Sequence, residues 1–397
     1  MTVSNTQTHR HGFGWLPLII LTLSGFTFNT SELIPIGLLT DIAESFGVSE
    51  ARAGMLITVY AWVVATMSLP LMLLFAKMDF RRLMIGVVGV FFLSHVATVL
   101  STTYYSLMAA RIGVALAHSL FWSIAPAMGV AVVAPEKKTM ALSALVAGGG
   151  IAMVAGLPLG RILGLVAGWR MTFAAIGILA AILLAGYIFK FPPLPQNPDV
   201  GGRKAMIKSL WECKPLLAIY VVTAVIVTGH YTGYSYIEPF MAQIAGMGAQ
   251  TITFTLSLFG VAGLLGSFVT SKWFPRYPAQ LISIACFTVP AVMIVLLPAV
   301  HINPMLLTLL CVLWGMGMTV FNIGFQNEIV SMFPADSAVP MSLYSGIFNL
   351  GIGGGAFVGG IVCDRGLMAD IGYIGGAISL SAAIFCLLVY IPIRKVR

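Results

Sequence analysis

Long apolar runs, broken by short polar or charged stretches, dominate the chain from residue 15 onward. Twelve of them reach the roughly 20 residues needed to cross a hydrocarbon layer about 30 Å thick at about 1.5 Å per residue. They cover 15–39, 50–76, 83–101, 105–133, 139–165, 169–190, 215–241, 251–271, 278–299, 304–326, 339–363 and 371–392. The pattern predicts an all-α membrane protein with twelve transmembrane helices. Strands of a membrane barrel would alternate polar and apolar residues, and these runs do not. The first run follows a polar leader, residues 1–14. It is too long for a signal-peptide core and no small-residue cleavage site follows it, so it is expected to stay in the mature chain.

Composition closes the alternatives. Of 397 residues, 59% are hydrophobic and 9% are charged, whereas soluble domains carry about 25% charged residues. A soluble surface could not be covered, and disorder is excluded by the same figures. The net charge of +8 reads as loop charge that orients a membrane protein, not as a nucleic-acid footprint. With an even number of spans both termini share a side. Placing them inside puts 16 of the 21 Lys and Arg residues on the cytoplasmic side; Arg52, Arg111, Arg161, Arg170 and Arg365 are the others. Both termini are therefore expected to be cytoplasmic.

The longest connection, 191–214, carries Pro192, Pro193, Pro195 and Pro198, then Arg203, Lys204 and Lys208. A proline-rich polar stretch after six spans reads either as a long loop or as a linker between halves. Internal similarity favours the second reading. Gly156, Gly160 and Gly164 recur 195 positions later as Gly351, Gly355 and Gly359, and Glu32 with Pro35 has a counterpart in Glu238 with Pro239. The expected organisation is a six-helix bundle over 1–190, a cytoplasmic linker over 191–214 and a second six-helix bundle over 215–397. Repeated halves mark transporters whose substrate sits between them near mid-membrane.

Ionisable residues inside the membrane are costly and are functional candidates by default. Glu32 lies about 9 Å below the outer end of the first span at 1.5 Å per residue, and Arg111 about as deep in the fourth. Apolar surroundings favour a neutral carboxyl and a nearby guanidinium favours the charged one. The pair is thus expected to couple to protons; a permanent ion pair joining the two spans is the alternative. Ala115, His118 and Trp122 share the helix face of Arg111.

His118 and His230 fall at similar depth in corresponding spans, which favours a cavity over two hydrogen-bonded core residues. His95 has no such companion and reads as structural. Asn29, Tyr60, Tyr231, Tyr234, Tyr344 and Asn349 add rings and hydrogen-bonding edges suited to neutral polyhydroxylated molecules. Tyr and Trp also serve as interface anchors. Glu238 is either a second titrating group of the cavity or a solvated helix end.

Several motifs are absent or misleading. Gly351-Ile352-Gly353-Gly354-Gly355-Ala356 fits a dinucleotide fingerprint but lies within an apolar span with no preceding strand. No G-x-x-x-x-G-K-[ST], H-E-x-x-H or G-x-S-x-G run occurs, and no C-x-x-C pair among Cys213, Cys286, Cys311, Cys363 and Cys386. No catalytic residue, metal or cofactor is expected, and glycines at four-residue spacing read as helix-packing positions.

Gly156-Leu157-Pro158-Leu159-Gly160-Arg161, after Gly148-Gly149-Gly150, resembles the span-5 antiporter motif of major facilitator exporters, with Leu157 separating Gly from Pro and Arg161 in place of a glycine. Arg111-Ile112-Gly113 resembles the same family's basic span-4 motif. The segments 29–39, 117–123 and 234–240 resemble the sugar efflux transporter (SotB) subgroup of its drug/metabolite:H+ antiporters, over essentially the whole chain. That resemblance implies two rocking six-helix bundles and proton-driven efflux of small sugars, such as arabinose and galactosides, across the bacterial inner membrane. A drug, nucleoside or amino acid as cargo of the same fold is the alternative, an intramembrane enzyme or receptor the remote one, and the chain is expected to act as a monomer. The resemblance also implies gating by the loop between the second and third spans and by span 5. The candidates are Asp79, Arg81, Arg82, Gly156, Pro158, Gly160, Arg161 and Gly164. The loop departs from the family pattern: Phe75-Ala76-Lys77-Met78-Asp79-Phe80-Arg81-Arg82 contains no glycine and is short.

Overall fold

The computed structural model describes residues 15–75, 78–134, 137–194, 210–333 and 338–395. Most of the 191–214 segment and the leader 1–14 lie outside the described residues. Among these, twelve helices are long and apolar enough to span a membrane. Spans 1 to 6 are Trp15–Gly37, Glu50–Met72, Phe80–Val99, Tyr104–Ala131, Met140–Ala167 and Trp169–Phe189. Spans 7 to 12 are Lys214–Tyr234, Ala249–Trp273, Pro278–Ile302, Leu306–Met332, Val339–Asp364 and Met368–Arg394. Helices solve the problem lipid poses, because every backbone N–H and C=O within them is paired internally. Their outer faces expose Leu23, Val166, Phe189 and Leu388, which is the expected surface toward acyl chains. The face at which span 1 begins is termed proximal, the opposite one distal.

Two helix breaks refine the expected spans. Span 1 stops at Gly37, and a short amphipathic helix, Leu39–Phe46, follows with Leu39, Ile42 and Ala43 inward. Span 7 stops at Tyr234 instead of running to residue 241. Pro239 has no N–H for the Ser235 carbonyl one turn back, so the ladder fails there. Within span 5 the turn widens over Ala152–Gly156, just ahead of Pro158, which likewise leaves Val154 O without its donor.

In the first half, span 3 packs on spans 4 and 6 and span 5 packs on span 1; in the second, span 7 packs on spans 11 and 12, and span 10 on spans 8 and 9. The span 5–span 1 seam is built on small residues. A Cβ at Gly156, Gly160 or Gly164 would meet Thr30, Ile34 and Leu38 respectively at 2.2, 1.9 and 2.6 Å. The span 11–span 7 seam repeats the device: a Cβ at Gly355 or Gly359 would meet the backbone carbonyls of Thr228 and Thr232 at 2.4 and 2.5 Å. The four-residue spacing seen in both halves is thus the spacing of one close helix contact used twice.

The halves meet along spans 2 and 11 and along spans 5 and 8. One apolar core lies wholly within 20–194. The other centres on the second half but takes in Leu33, Ile36, Leu39, Ala53, Ile57 and Leu157 of the first. Among the described residues, every side-chain hydrogen bond between halves lies distally: Thr40 and Arg161 to Glu238, Arg161 to Thr253, Ser49 to Asp364, and Gln243 to Glu50. Toward the proximal face Trp62, Met67 and Leu69 of span 2, and Leu74 just beyond it, are exposed. The molecule is closed on its distal side.

Candidate functional site: a polar seam between the halves

Helix geometry brings Glu32 and Arg111 to one narrow gap at the seam, lined by Glu32, Tyr60 and Arg111 of the first half and Tyr231 and Ile352 of the second. Its free space is about 10 Å³, enough for about one water molecule. Glu32 keeps 22% of its side chain exposed, and its Oε2 lies 3.8 Å from His118 Nε2. Tyr60 Oη and His118 Nδ1 share a hydrogen bond of 2.7 Å.

The alternative to proton coupling, a permanent Glu32–Arg111 ion pair, is not made in this state. The side-chain ion pairs among the described residues are Glu238–Arg161 and Glu328–Arg394; Glu32 faces the ring of His118. Arg111 instead donates through Nη1 to the Ser31 carbonyl at 3.0 Å, and its guanidinium lies 4.5 Å over the Tyr60 ring. The reason is local. Residue 35 is proline, so the Ser31 carbonyl has no helical donor, and a buried carbonyl needs one.

His95 closes this network. Its Nδ1 faces the Phe91 carbonyl at 2.8 Å and so carries the proton, leaving Nε2 to accept from Ser31 Oγ at 2.9 Å. The core histidine of the sequence reading therefore holds the residue that holds Arg111.

Other expected cavity residues divide into separate groups. Asn29 and Trp122 lie half-buried beside Gly149 of span 5, where a Cβ would sit 2.4 Å from Asn29 Nδ2. His230, Tyr231 and Tyr234 form an aromatic cluster with Phe259 and Trp314, with ring centroids 4.6–6.4 Å apart. In it His230 Nδ1, Tyr234 Oη and Trp314 Nε1 are buried without a hydrogen-bond partner. Tyr231 is the wall shared with the Glu32 gap. Tyr344 donates to Asn322 Oδ1 at 2.9 Å, and Asn349 donates to the Ser345 carbonyl at 3.0 Å. Trp314, Phe259 and Asn322 were not singled out from sequence; each lies in an apolar run without a charge to mark it. Ser31 was passed over beside Glu32.

One expectation is corrected. Glu238 lies neither in the Glu32 gap nor at a solvated end. It is 4% exposed and bonds to Arg161 and Thr40 across the distal seam. Among the described residues, Asp79 caps span 3 by accepting from Arg82 N at 2.9 Å, and Arg81 Nε donates to the Tyr187 carbonyl of span 6 at 3.1 Å, both within the first half. Arg82 is exposed.

The sequence matches the model of the Major Facilitator Superfamily over residues 18–339. The chain belongs to that superfamily. It is a multi-pass membrane transporter rather than an enzyme. Solved structures of similar fold include a bacterial homologue of the human lysosomal transporter Spinster, inward-facing and unoccupied, at 15% identity and TM-score 0.71, covering 96% of this chain and 95% of that one. A D-xylose–proton symporter is similar at 14% identity and TM-score 0.74, covering 94% and 97%. A nucleoside transporter is similar at 14% identity and TM-score 0.72, covering 94% and 100%.

Proposed function

We propose that this transporter exports small neutral sugars, arabinose- and galactoside-like, in exchange for protons across the bacterial inner membrane. The proximal face, with both termini, is taken as cytoplasmic on the Lys and Arg asymmetry of the loops. Residues 1–190 and 215–397 act as two rocking bundles joined by a cytoplasmic linker, and a monomer suffices because one chain supplies both.

The observation that carries the reading is the place of Glu32. It is a part-exposed carboxyl 3.8 Å from a histidine, in a gap whose far wall belongs to the other half. An ionised Glu32 facing Nε2 favours the neutral imidazole with its proton on that nitrogen, and Tyr60 then donates to Nδ1. Adding a proton to Glu32 cancels the charge that His118 and Arg111 face, which changes the energy of holding Tyr231 and Ile352 against it. Proton and cargo each shift the two-state balance only by their differential affinity for the two states. Competition between them at this seam yields exchange.

The gap is too small for a sugar in the distally closed state, so cargo is met from the proximal side by the surrounding groups. Asn29, Tyr60, His118, Trp122, His230, Tyr231, Tyr234, Tyr344 and Asn349 offer ring faces for stacking and edges for hydroxyls. A second reading, a zwitterionic or other charged cargo, draws on Glu32 and Arg111 lining one gap.

Everted vesicles test both. Imposing a pH gradient on vesicles with the parent chain is expected to drive uphill sugar uptake. Glu32→Gln is expected to abolish it while leaving downhill exchange. Uphill movement by Glu32→Gln at the parental rate sinks the proposal, and uptake of an amino acid with no sugar uptake replaces the cargo.

A further inference from the structure

The span-5 motif marks Arg161 for gating but assigns it no partner, and the Glu32 site does not include it. It sits on span 5, is 2% exposed, and is anchored in its own half by a hydrogen bond from Nη1 to the Gly37 carbonyl. That carbonyl is free because the helix breaks at Leu38. From this anchor the guanidinium reaches the other half twice: Nη2 to Glu238 Oε1 at 3.2 Å and Nε to Thr253 Oγ1 at 3.2 Å. Glu238 also accepts from Thr40 Oγ1 at 2.7 Å and Thr40 N at 3.4 Å, both from the first half.

We infer that Arg161 and Glu238 form the distal latch of the transport cycle, a buried ion pair that closes when the halves meet and separates when they part. The inference is independent of cargo and of the role of Glu32. Every contact of the cluster except that to Gly37 crosses the seam or, through Thr253, fixes the side it crosses to. Opening the distal side must therefore break them together and hydrate both charges.

A buried ion pair suits this task. Its attraction roughly offsets the cost of drying both ions, so the closed pair lies near balance with the open, hydrated one. Removing one partner is different, because closing then buries a lone charge. The two residues are positioning groups: they set how often the distal side opens and touch no cargo.

The test reads the distal separation directly. Spin labels at Glu44→Cys and Gln250→Cys, exposed distal positions of the two halves, report it in a full-length chain whose native cysteines are replaced by alanine. The parent is expected to show mainly the short, closed separation. Glu238→Gln and Arg161→Met, each alone, are expected to raise the ratio of open to closed chains by about tenfold or more. The double variant is expected to rise less than either, since no lone charge is then buried. Thr40→Val, which removes one hydrogen bond and keeps both charges, is expected to rise about threefold. It carries the test together with the double variant if a single charge variant does not fold. Unchanged distributions in the single variants or in Thr40→Val overturn the inference. So does a double variant whose shift equals the two single shifts combined.

Discussion

Arg111 is held by the backbone of Ser31: its Nη1 donates to the Ser31 carbonyl at 3.0 Å, one helical turn before Pro35. The proline frees the carbonyl and the guanidinium takes it up, so spans 1 and 4 are joined through a missing amide hydrogen. Only a forked donor can bond this carbonyl while its plane lies over the Tyr60 ring. Arg111→Lys keeps the charge and loses the fork. Its gradient-driven transport is expected to fall about tenfold, and Arg111→Gln is expected to fall further. Initial rates in vesicles at matched expression check the order; a lysine variant at the parental rate contradicts it.

Tyr60 acts one step further from Glu32. Its hydroxyl shares a 2.7 Å hydrogen bond with His118 Nδ1 and thereby sets which imidazole nitrogen faces the carboxyl. Tyr60→Phe keeps the ring under Arg111 and leaves the buried His118 Nδ1 unpaired, at about 1–3 kcal/mol of stability. Uphill transport is expected to drop several-fold while counterflow, which needs no net proton movement, stays near the parental rate. Equal losses in both assays would mean that the hydroxyl serves cargo alone and not the proton.

Much of the fold could be read in advance because its determinants are local. A run of about 20 apolar residues has no stable alternative to a helix in lipid, and residues four apart share a face, so the Gly156 and Gly351 series were visible as paired packing stripes. The break at Ser235 was equally local, yet missed: Pro239 announces it four residues later. The helix Leu39–Phe46 was hidden because Thr40, Asp41 and Glu44 read as loop.

The site was legible in its members but not in its pairings. Glu32, Arg111 and His118 stood out as ionisable groups within spans. Spacing along a helix gives height, however, and not which neighbour a side chain turns toward. Arg111 turned to a carbonyl and Glu32 toward His118. Glu238 and Arg161 were assigned to different tasks because their contact crosses the seam, and no local pattern encodes the register of one half on the other. Thr40 and Thr253 carry no sequence signal at all.

Trp314 is buried completely, and its Nε1 has no partner among rings that surround it closely. A buried donor left unmade costs about 1–3 kcal/mol, a cost that a cargo hydroxyl would relieve. Trp314→Phe keeps a ring against His230 and Tyr234 and removes the N–H. The expected result is a thermal stability equal to or above the parent with a sugar KM raised roughly tenfold, equivalent to about 1.4 kcal/mol. An unchanged KM would make the tryptophan a packing residue only.

The helix seams make a graded prediction about stability. A methyl group at Gly355 would lie 2.4 Å from the Thr228 carbonyl oxygen, which is backbone and cannot step aside without moving span 7 against span 11. At Gly160 the obstacle is the Cδ1 of Ile34, at 1.9 Å, the free end of a side chain that can change rotamer. At Gly86 of span 3 nothing lies within 4 Å. Overpacking costs about 1–3 kcal/mol where the structure must shift, whereas glycine to alanine in an open helix gains up to about 1 kcal/mol. Melting of the purified chain in detergent is therefore expected to rank Gly355→Ala lowest, Gly160→Ala between, and Gly86→Ala at or above the parent. Gly355→Ala should also slow transport, because spans 7 and 11 both border the seam across which the halves must separate. A Gly355→Ala chain as stable as Gly86→Ala would mean that the span 7–span 11 contact is looser than its geometry requires.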